Sequence, residues 1–212
     1  MSGPLLLIAA SGLAREVLPV IQGSGRVVLG FLDDRHVELP RTIGGAPMLG
    51  GIDDIPLYPD AQVLVCVGSG ADRERVVARL DALGVDAERY ATIVDPSVRN
   101  PGACPVGVGS ILLAGVVITA DAVIGAHVVA MPHVTITHDC LIDDFATLAA
   151  GVALGGGVRI GRGAYLGMNC SVRQGVSIAP RATVGMGAVV LRDIHHPGTW
   201  VGVPARLLGR TP

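Results

Sequence analysis

The feature that most restricts the fold of this chain is an aliphatic residue at every sixth position from Val106 to Val190. A second column, of small or β-branched residues, lies two positions before each of these residues and runs from Cys104 to Ala188. Neither spacing fits an α-helix, whereas a period of six fits one flat side of a three-sided parallel β-helix. Three hexads then form one coil, so residues 18 apart in the sequence stack about 4.8 Å apart along the solenoid axis.

Composition excludes several classes of partner. Aromatic residues make up 3% of the 212 residues and the formal net charge is −2, so the chain lacks both the stacking side chains and the basic field that nucleic acids require. The apolar stretch at residues 4–10 is too short to cross a bilayer and has no basic flank. We therefore expect a cytoplasmic protein without a nucleic acid or membrane partner, in which the four cysteines stay reduced.

The first third of the chain has a different pattern, in which continuous apolar runs alternate with helical ones. Strands that are apolar throughout are typical of a parallel sheet covered on both faces. The sequence therefore predicts an α/β plus β-solenoid fold, with a small Rossmann-like βαβ domain over residues 1–95 and a parallel β-helix over residues 96–212. The predicted elements of the first domain are strands at residues 5–9, 27–32 and 63–67 and helices at residues 14–21 and 71–83.

Three predicted strands of the first domain end in short segments that suit a ligand. These segments are Ser11-Gly12-Leu13, Asp33-Asp34 and Gly68. The carboxyl ends of parallel strands meet at one edge of a sheet, and a helix that begins there can hold a phosphate. The G-x-G-x-x-G spacing is incomplete, so a plain tight turn is an equal alternative for the first segment taken alone. The convergence of all three segments favours a nucleotide or sugar-nucleotide site.

The domain order and two motifs resemble one family over nearly the whole chain. The motifs are THDCLIDDF at residues 137–145 and WVGVPAR at residues 200–206. The family is that of the UDP-4-amino-sugar N-acetyltransferases, of bacillosamine and perosamine type, and the sialic acid O-acetyltransferases. The resemblance implies a left-handed β-helix, a homotrimer, and acetyl-CoA as acyl donor in the groove between subunits, with no metal. It also implies that His138 is the general base, that Asp139 raises its basicity, and that Met168 and Met186 contact the pantetheine arm.

The residues themselves support a base at His138. This histidine lies at a predicted corner two positions after Ile136, and the residue stacked one coil later is Gly156, which leaves free space. An amine or hydroxyl that attacks a thioester must lose a proton, and an imidazole accepts one near neutral pH. Asp139 would orient the ring and stabilise its charged form. For an isolated histidine a merely solvated corner would be the better interpretation, but the motif and the glycine outweigh it.

The other residues that are candidates for contact with acetyl-CoA can also be interpreted as ordinary surface residues. Met168 and Met186 are 18 residues apart on another corner than His138, where partly exposed methionines are also ordinary. Four arginines near the C-terminal end are candidates for the CoA phosphates, against the alternative of scattered surface arginines. They are Arg181, Arg192, Arg206 and Arg210.

Three positions depart from the family pattern. Leu13 and Thr147 stand where many family members have a histidine, and Met131 stands where many have an asparagine. The histidine replaced by Thr147 contacts the thioester carbonyl in those enzymes, and the threonine hydroxyl can still donate a hydrogen bond there. The apolar side chain of Leu13 cannot hydrogen-bond a phosphate or a sugar hydroxyl. We therefore expect altered acceptor binding, with Asp33 and Asp34 holding the substrate.

The expected activity is acetyl-CoA-dependent acetylation of a sugar, first of all the amino group of a nucleotide-linked amino sugar. O-acetylation of a sialic acid-type hydroxyl uses the same base and donor and is the alternative. A γ-type carbonic anhydrase would need clustered metal ligands, but His127, His133 and His138 fall on three successive hexads. A nucleotidyltransferase is disfavoured by the short N-terminal third. A non-catalytic trimeric binding scaffold stays open because of the three departures.

Overall fold

A computed structural model describes residues 3–209, and the chain divides into two compact units. Of the described residues, 3–68 and 72–93 form the first unit, and 69–71 and 94–209 form the second. No helix within the described part of the chain is long and apolar enough to cross a membrane.

The first unit contains a five-stranded sheet of order β3-β4-β2-β1-β5. β1, β2, β4 and β5 are parallel, and β3 is antiparallel to β4. Two short 3₁₀ segments at Ile52–Leu57 and Ala87–Arg89 complete the connections. The bounds are β1 Leu5–Ile8, α1 Gly12–Gly23, β2 Val28–Leu32, β3 Thr42–Ile43, β4 Ala46–Gly50, β5 Gln62–Val65 and α2 Gly70–Ala82.

The predicted Rossmann-like arrangement is confirmed in its three central strands and both helices. All four residues of β1 are buried, as expected for a strand covered on both faces. The hairpin of β3 and β4 was missed, because β3 has only two residues and β4 contains Pro47, which weakens a strand pattern. Gly30 in β2 lets β4 lie alongside β2, since a Cβ at residue 30 would overlap the carbonyl oxygen of Pro47.

The second unit is a left-handed parallel β-helix with three flat sides. Side 1 has the order β22-β21-β19-β16-β13-β10-β7-β6, side 2 the order β20-β17-β14-β11-β8, and side 3 the order β18-β15-β12-β9. The strands are β6 Ile93–Val94, β7 Ile111–Leu112, β8 Val117–Ile118, β9 Val123–Ile124, β10 Val129–Ala130, β11 Thr135–Ile136, β12 Leu141–Ile142, β13 Thr147–Leu148, β14 Ala153–Leu154, β15 Arg159–Ile160, β16 Tyr165–Leu166, β17 Ser171–Val172, β18 Ser177–Ile178, β19 Ala182–Val184, β20 Val189–Val190, β21 Gly198–Val201 and β22 Arg206–Leu207.

The aliphatic column of the sequence forms the core of the solenoid, as predicted. Each strand of the regular coils ends on a column residue whose side chain is buried, and strands 18 residues apart pair in register, as Ile136 does with Leu154. Each such side chain contributes roughly 1.5–3 kcal/mol of gross burial free energy. Where one side turns into the next, the corner between sides 1 and 2 is called here the 1–2 corner, and the corner between sides 2 and 3 the 2–3 corner.

Candidate active site

His138 lies at the 2–3 corner and is paired with the residue that follows it. Its Nδ1 is 2.7 Å from Oδ2 of Asp139, and each side chain is 65% exposed. Asp139 has a φ of +61°, a left-handed conformation in which aspartate is several-fold enriched among non-glycine residues. Its backbone N–H donates to the carbonyl of Ala120, 3.1 Å away, which fixes the corner to the coil before it.

The pairing decides which ring nitrogen can act. In a neutral imidazole one nitrogen donates and the other accepts, so Nδ1–H donating to the Asp139 carboxylate leaves the lone pair on Nε2. A Cβ at Gly156 would overlap both Cε1 and Nε2 of His138, so the ring lies over this glycine, one coil later. The arrangement presents an oriented, largely exposed imidazole whose position requires glycine at residue 156.

Met168 and Met186 lie at the 1–2 corner, at the other edge of side 2 from His138. Their side chains are 50% and 78% exposed, and they stack, since the N–H of Gly187 donates to the carbonyl of Met168 at 2.8 Å. One protomer therefore does not bring the two methionines to the predicted base. Any groove that uses both corners must be formed by two copies of the chain.

Thr147 lies on side 1, in β13, and is 3% exposed. Its backbone N–H donates to the carbonyl of Ala164 at 2.9 Å. A whole side of the solenoid, side 3, separates it along the chain from His138. Within one chain, therefore, the structure does not place Thr147 beside the predicted base.

His127, His133 and His138 occupy three successive corners, as their spacing indicated. His127 is buried, with its ring stacked on Phe145 at 5.0 Å between centroids, whereas His133 is exposed. Among residues 3–209, no three His, Cys, Asp or Glu side chains come together in a way that could hold a metal ion.

In the first unit, Ser11 and Asp33 join the ends of three strands. Ser11 caps α1 by accepting from the N–H of Ala14 at 3.3 Å, and its hydroxyl donates to the carbonyl of Cys66 at 2.5 Å. Asp33 is 5% exposed and accepts from the backbone N–H groups of Ala10 and Arg35, both at 2.9 Å. Burial alone would raise the pKa of Asp33, but these hydrogen bonds and the Arg35 guanidinium lower it below its ordinary value.

Asp34 is also occupied by partners within the chain. Arg79 donates to it at 2.6 Å, and the N–H of Ile52 donates at 3.2 Å. The hydrogen bonds from Arg79 first, and then that from Ile52, outweigh partial burial and lower the pKa of Asp34. Arg79 contacts Asp53 as well, so the carboxylate belongs to a small network. Both carboxylates therefore accept hydrogen bonds from other segments of this chain at the carboxyl-terminal edge of the sheet.

A cleft of about 550 Å³ opens where β1 ends and α1 begins. Ser11 and Gly12 line it together with the guanidinium-bearing residues Arg15 and Arg35 and an apolar wall that includes Ile43. Sequence reasoning missed both arginines. Arg15 was detectable as the first basic residue of the helix that follows Ser11, on its first turn.

The remaining two predicted residues of this rim have different positions. Leu13 is 7% exposed and belongs to the buried face of α1, and it is not among the residues that line the cleft. A Cβ added at Gly68 would meet no atom within 4 Å. The carbonyl of Gly68 and that of Val67 accept from Arg73, whose pKa burial lowers to about 10. A fully buried arginine therefore holds the loop after β5, an arrangement that no local sequence pattern predicts.

At the C-terminal end, a cleft of about 340 Å³ is lined by Arg192 and Arg206 together with Trp200 and Pro204. Arg181 is exposed at another corner and does not line it. Arg210 lies outside the described residues.

Comparisons with known proteins agree with both halves of this description. The PglD N-terminal domain model matches residues 4–80, and the bacterial transferase hexapeptide model, of six repeats, matches residues 157–192. No curated protein sequence matches the chain at a significant level.

Solved structures resemble the whole chain. PerB, a perosamine N-acetyltransferase of Caulobacter crescentus solved with CoA and GDP-perosamine, is 27% identical, with a TM-score of 0.89 and 99% coverage of each chain. The acetyltransferase domain of PglB from Neisseria gonorrhoeae, solved with acetyl coenzyme A, is 28% identical, with a TM-score of 0.90 and coverage of 98% of this chain and 100% of that one. WeeI from Acinetobacter baumannii is 27% identical, with a TM-score of 0.84 and coverage of 97% and 99%.

Proposed function

From the premise that this chain belongs to the hexapeptide-repeat sugar acyltransferases, we propose that it transfers an acetyl group from acetyl-CoA to the amino group of a nucleotide-linked amino sugar, with His138 as general base. The observation that carries the proposal is the His138–Asp139 pair, with Nε2 accessible over Gly156. The full-length likeness to PerB, whose structure contains CoA and GDP-perosamine, supports the substrate class.

The proposed reaction needs one proton acceptor and one leaving group. The acceptor nitrogen attacks the thioester carbonyl carbon while Nε2 of His138 removes a proton from that nitrogen. The tetrahedral intermediate collapses, the carbon–sulfur bond breaks, and the imidazolium returns its proton to the departing CoA thiolate. Asp139 stabilises the imidazolium between these steps through the 2.7 Å contact with Nδ1.

The donor site requires a homotrimer in this proposal. Side 2 carries a small, uncharged outward residue in each of its strands, whereas side 3 exposes Arg159, and the outward residues of side 1 are buried from Ile111 to Thr147. Side 2 is therefore the face best suited to pack around a three-fold axis. That packing sets the 2–3 corner of one protomer, with His138, beside the 1–2 corner of the next, with Met168 and Met186. The arginine-lined cleft at the C-terminal end then suits the CoA phosphates.

The acceptor nucleotide is proposed to bind the cleft of the first unit. The N-terminus of α1 and the two guanidinium groups of Arg15 and Arg35 suit a diphosphate. Asp33 then acts mainly by holding Ala10 and Arg35 in place, since its oxygens already accept hydrogen bonds from both. This changes the role expected from sequence, in which Asp33 and Asp34 themselves hold the substrate.

The test is release of free CoA thiol from acetyl-CoA with a panel of UDP-, GDP- and dTDP-linked 4-amino sugars and free sialic acid. We expect turnover with a nucleotide-linked amino sugar and none with the corresponding sugar that lacks the amine. Turnover with sialic acid and with no amino sugar would show that the enzyme acetylates a hydroxyl group and not an amine. No turnover with any acceptor would favour a binding scaffold over an enzyme of this specificity.

A further inference from the structure

The exposed histidine at the 1–2 corner, His133, has no role in the proposed reaction so far. No hydrogen bond or ion pair of its ring is found within residues 3–209, and its φ of +62° is uncommon for a residue other than glycine. It lies at one end of β11, and His138 lies at the other end. The two histidines therefore flank side 2 at opposite edges of the same coil.

The predicted trimer changes what His133 faces. Rotation about a three-fold axis parallel to the solenoid carries each coil onto the same coil of the next protomer, without a change in height. With side 2 toward that axis, the 1–2 corner of one protomer meets the 2–3 corner of its neighbour. His133 of one copy then lies across the groove from His138 of the next.

Among Met131, Pro132 and His133, the ring of His133 carries the polar hydrogen that is not already donated to the backbone of the solenoid. The N–H of Met131 donates to the carbonyl of Leu148 and that of His133 to the carbonyl of Ala114, both at 2.9 Å. Pro132 has no N–H. Of these three residues, the imidazole of His133 is therefore the group that can donate a hydrogen bond to a ligand at this level of the groove.

The rings of His133 and His138 lean in opposite directions along the solenoid axis, and this assigns the acceptor sugar and the thioester to different sides of the groove. A Cβ at Gly115 would lie 2.6 Å from Nδ1 of His133, so this ring leans over the preceding coil, toward the N-terminal end. The ring of His138 leans the opposite way, over Gly156. The proposed pantetheine contacts, Met168 and Met186, lie in still later coils. The thioester therefore approaches from the C-terminal end, and the acceptor sugar occupies the side toward which His133 leans.

We infer that His133 of the neighbouring protomer contacts the acceptor sugar, through a hydrogen bond from its ring to a sugar hydroxyl or ring oxygen, and so helps to select the acceptor. The inference rests on the proposed function. It makes each active site composite, with the base from one chain and the acceptor contact from another.

Steady-state kinetics of His133→Ala test the contact. The acceptor KM should rise about 3- to 10-fold, the effect of one lost hydrogen bond, while the acetyl-CoA KM is unchanged. His133→Asn keeps a donor and should recover part of the acceptor affinity. His195→Ala, which removes another exposed solenoid histidine, should change neither constant. An unchanged acceptor KM in His133→Ala, or a raised donor KM, would overturn the inference.

Subunit mixing tests whether the contact comes from a neighbour. Trimers assembled from His133→Ala chains and His138→Ala chains contain some interfaces in which both histidines are intact. These interfaces should restore turnover with the wild-type acceptor KM. If both histidines acted within one chain, no intact site would form, and the mixture would show only the raised KM.

The failure of this inference is distinct from failure of the proposed function. An acceptor KM unaffected by His133→Ala, in an enzyme whose turnover still requires His138, removes the inference alone. Absence of thiol release by the wild-type protein with every acceptor removes both. Gel filtration and thermal unfolding of each variant show whether a kinetic change reflects the contact or a lost trimer.

Discussion

At the scale of single residues, the proposed chemistry depends on one proton position. Asp139 holds Nδ1 of His138 at 2.7 Å, which leaves Nε2 to accept the proton of the nucleophile. Each side chain of the pair is 65% exposed in one protomer, which leaves room for the substrates and for the neighbouring chain of the proposed trimer. Gly156 has an equally specific part, because its missing side chain makes the space that the ring occupies.

Replacement of the base should remove most turnover. We expect His138→Ala to lower kcat by on the order of 10²-fold or more, the usual contribution of a general base. Asp139→Asn should cost less, because it leaves the imidazole in place but stabilises its charged form less well. Trimer formation and CoA binding should persist in both variants. A His138→Ala enzyme with the wild-type rate would exclude this mechanism.

The glycine beneath the ring gives an independent test of its position. Gly156→Ala places a Cβ against Cε1 and Nε2 of His138 and should displace the ring, lowering kcat by at least about 10-fold, the scale of misplacing a catalytic group. Gly157→Ala is the matched control, since it adds backbone strain at a φ of +69° but has open space around its Cβ. Equal losses of activity in the two variants would point to destabilisation instead.

At the scale of elements, the N-terminus of α1 is the part of the first unit most suited to a ligand. Ser11 caps the helix and ties it to the loop after β5, while Asp33 ties the loop after β1 to the loop after β2. The strand order β2-β1-β5 brings these three loops side by side. The cleft that results combines helix N–H groups with two arginines, which suits phosphate oxygens.

Substitutions in this cleft should affect the acceptor and not the donor. Arg15→Ala removes a cation, and Gly12→Val fills space at a position where a Cβ meets only the end of the Arg15 side chain, 4.0 Å away. We expect either change to raise the acceptor KM several-fold, on the scale of a hydrogen bond to a charged group, with an unchanged acetyl-CoA KM. A raised acetyl-CoA KM would show that the cleft holds acetyl-CoA. If neither the acceptor KM nor the acetyl-CoA KM changed, the acceptor would have to bind elsewhere, on the β-helix.

Asp33 should make the first unit sensitive to acid. Its pKa in the folded protein is lowered below the ordinary value of 3.8. The carboxylate therefore stabilises the fold above that value, and its contribution is lost as pH falls through the folded pKa. Urea unfolding between neutral pH and pH near 3 should show a steeper loss of stability for wild type than for Asp33→Asn. Parallel curves would indicate that the Ala10 and Arg35 contacts contribute nothing net.

At the scale of the whole molecule, the proposed activity belongs to an assembly. The base lies at one edge of side 2, and the exposed methionines lie at the other. A single solenoid cannot bring these edges together, whereas copies packed on side 2 can. The linear core suits this use, because each coil is stabilised by its neighbours and the outer faces are left to form interfaces.

Breaking the trimer should abolish donor binding. Ala153→Arg places three charges around the axis on side 2, whereas Val123→Arg adds the same charge to side 3, which already exposes Arg159. We expect the first variant to be monomeric by light scattering and to bind no CoA in calorimetry. The second should remain trimeric and bind CoA as wild type does. A monomer with unchanged CoA affinity would refute the intersubunit groove.

The sequence by itself determined the solenoid and its coil register, because a period of six aliphatic residues has one compact solution in which every column residue is buried. It also determined that Gly156 stacks on His138, since this needs only the 18-residue coil. The central strands of the first unit were also predictable, because continuous apolar runs are typical of strands that are buried on both faces of a parallel sheet.

Only the tertiary structure decided how the polar side chains are used. The hairpin of β3 and β4, the buried Arg73, and the network of Arg79 with Asp34 depend on contacts between distant segments, which local pattern does not encode. The same holds for Thr147, whose burial follows from packing and not from residue type. Local periodicity therefore specifies the solenoid and the central strands of the first unit, while the added hairpin and the partners of the charged and polar groups are set by long-range packing.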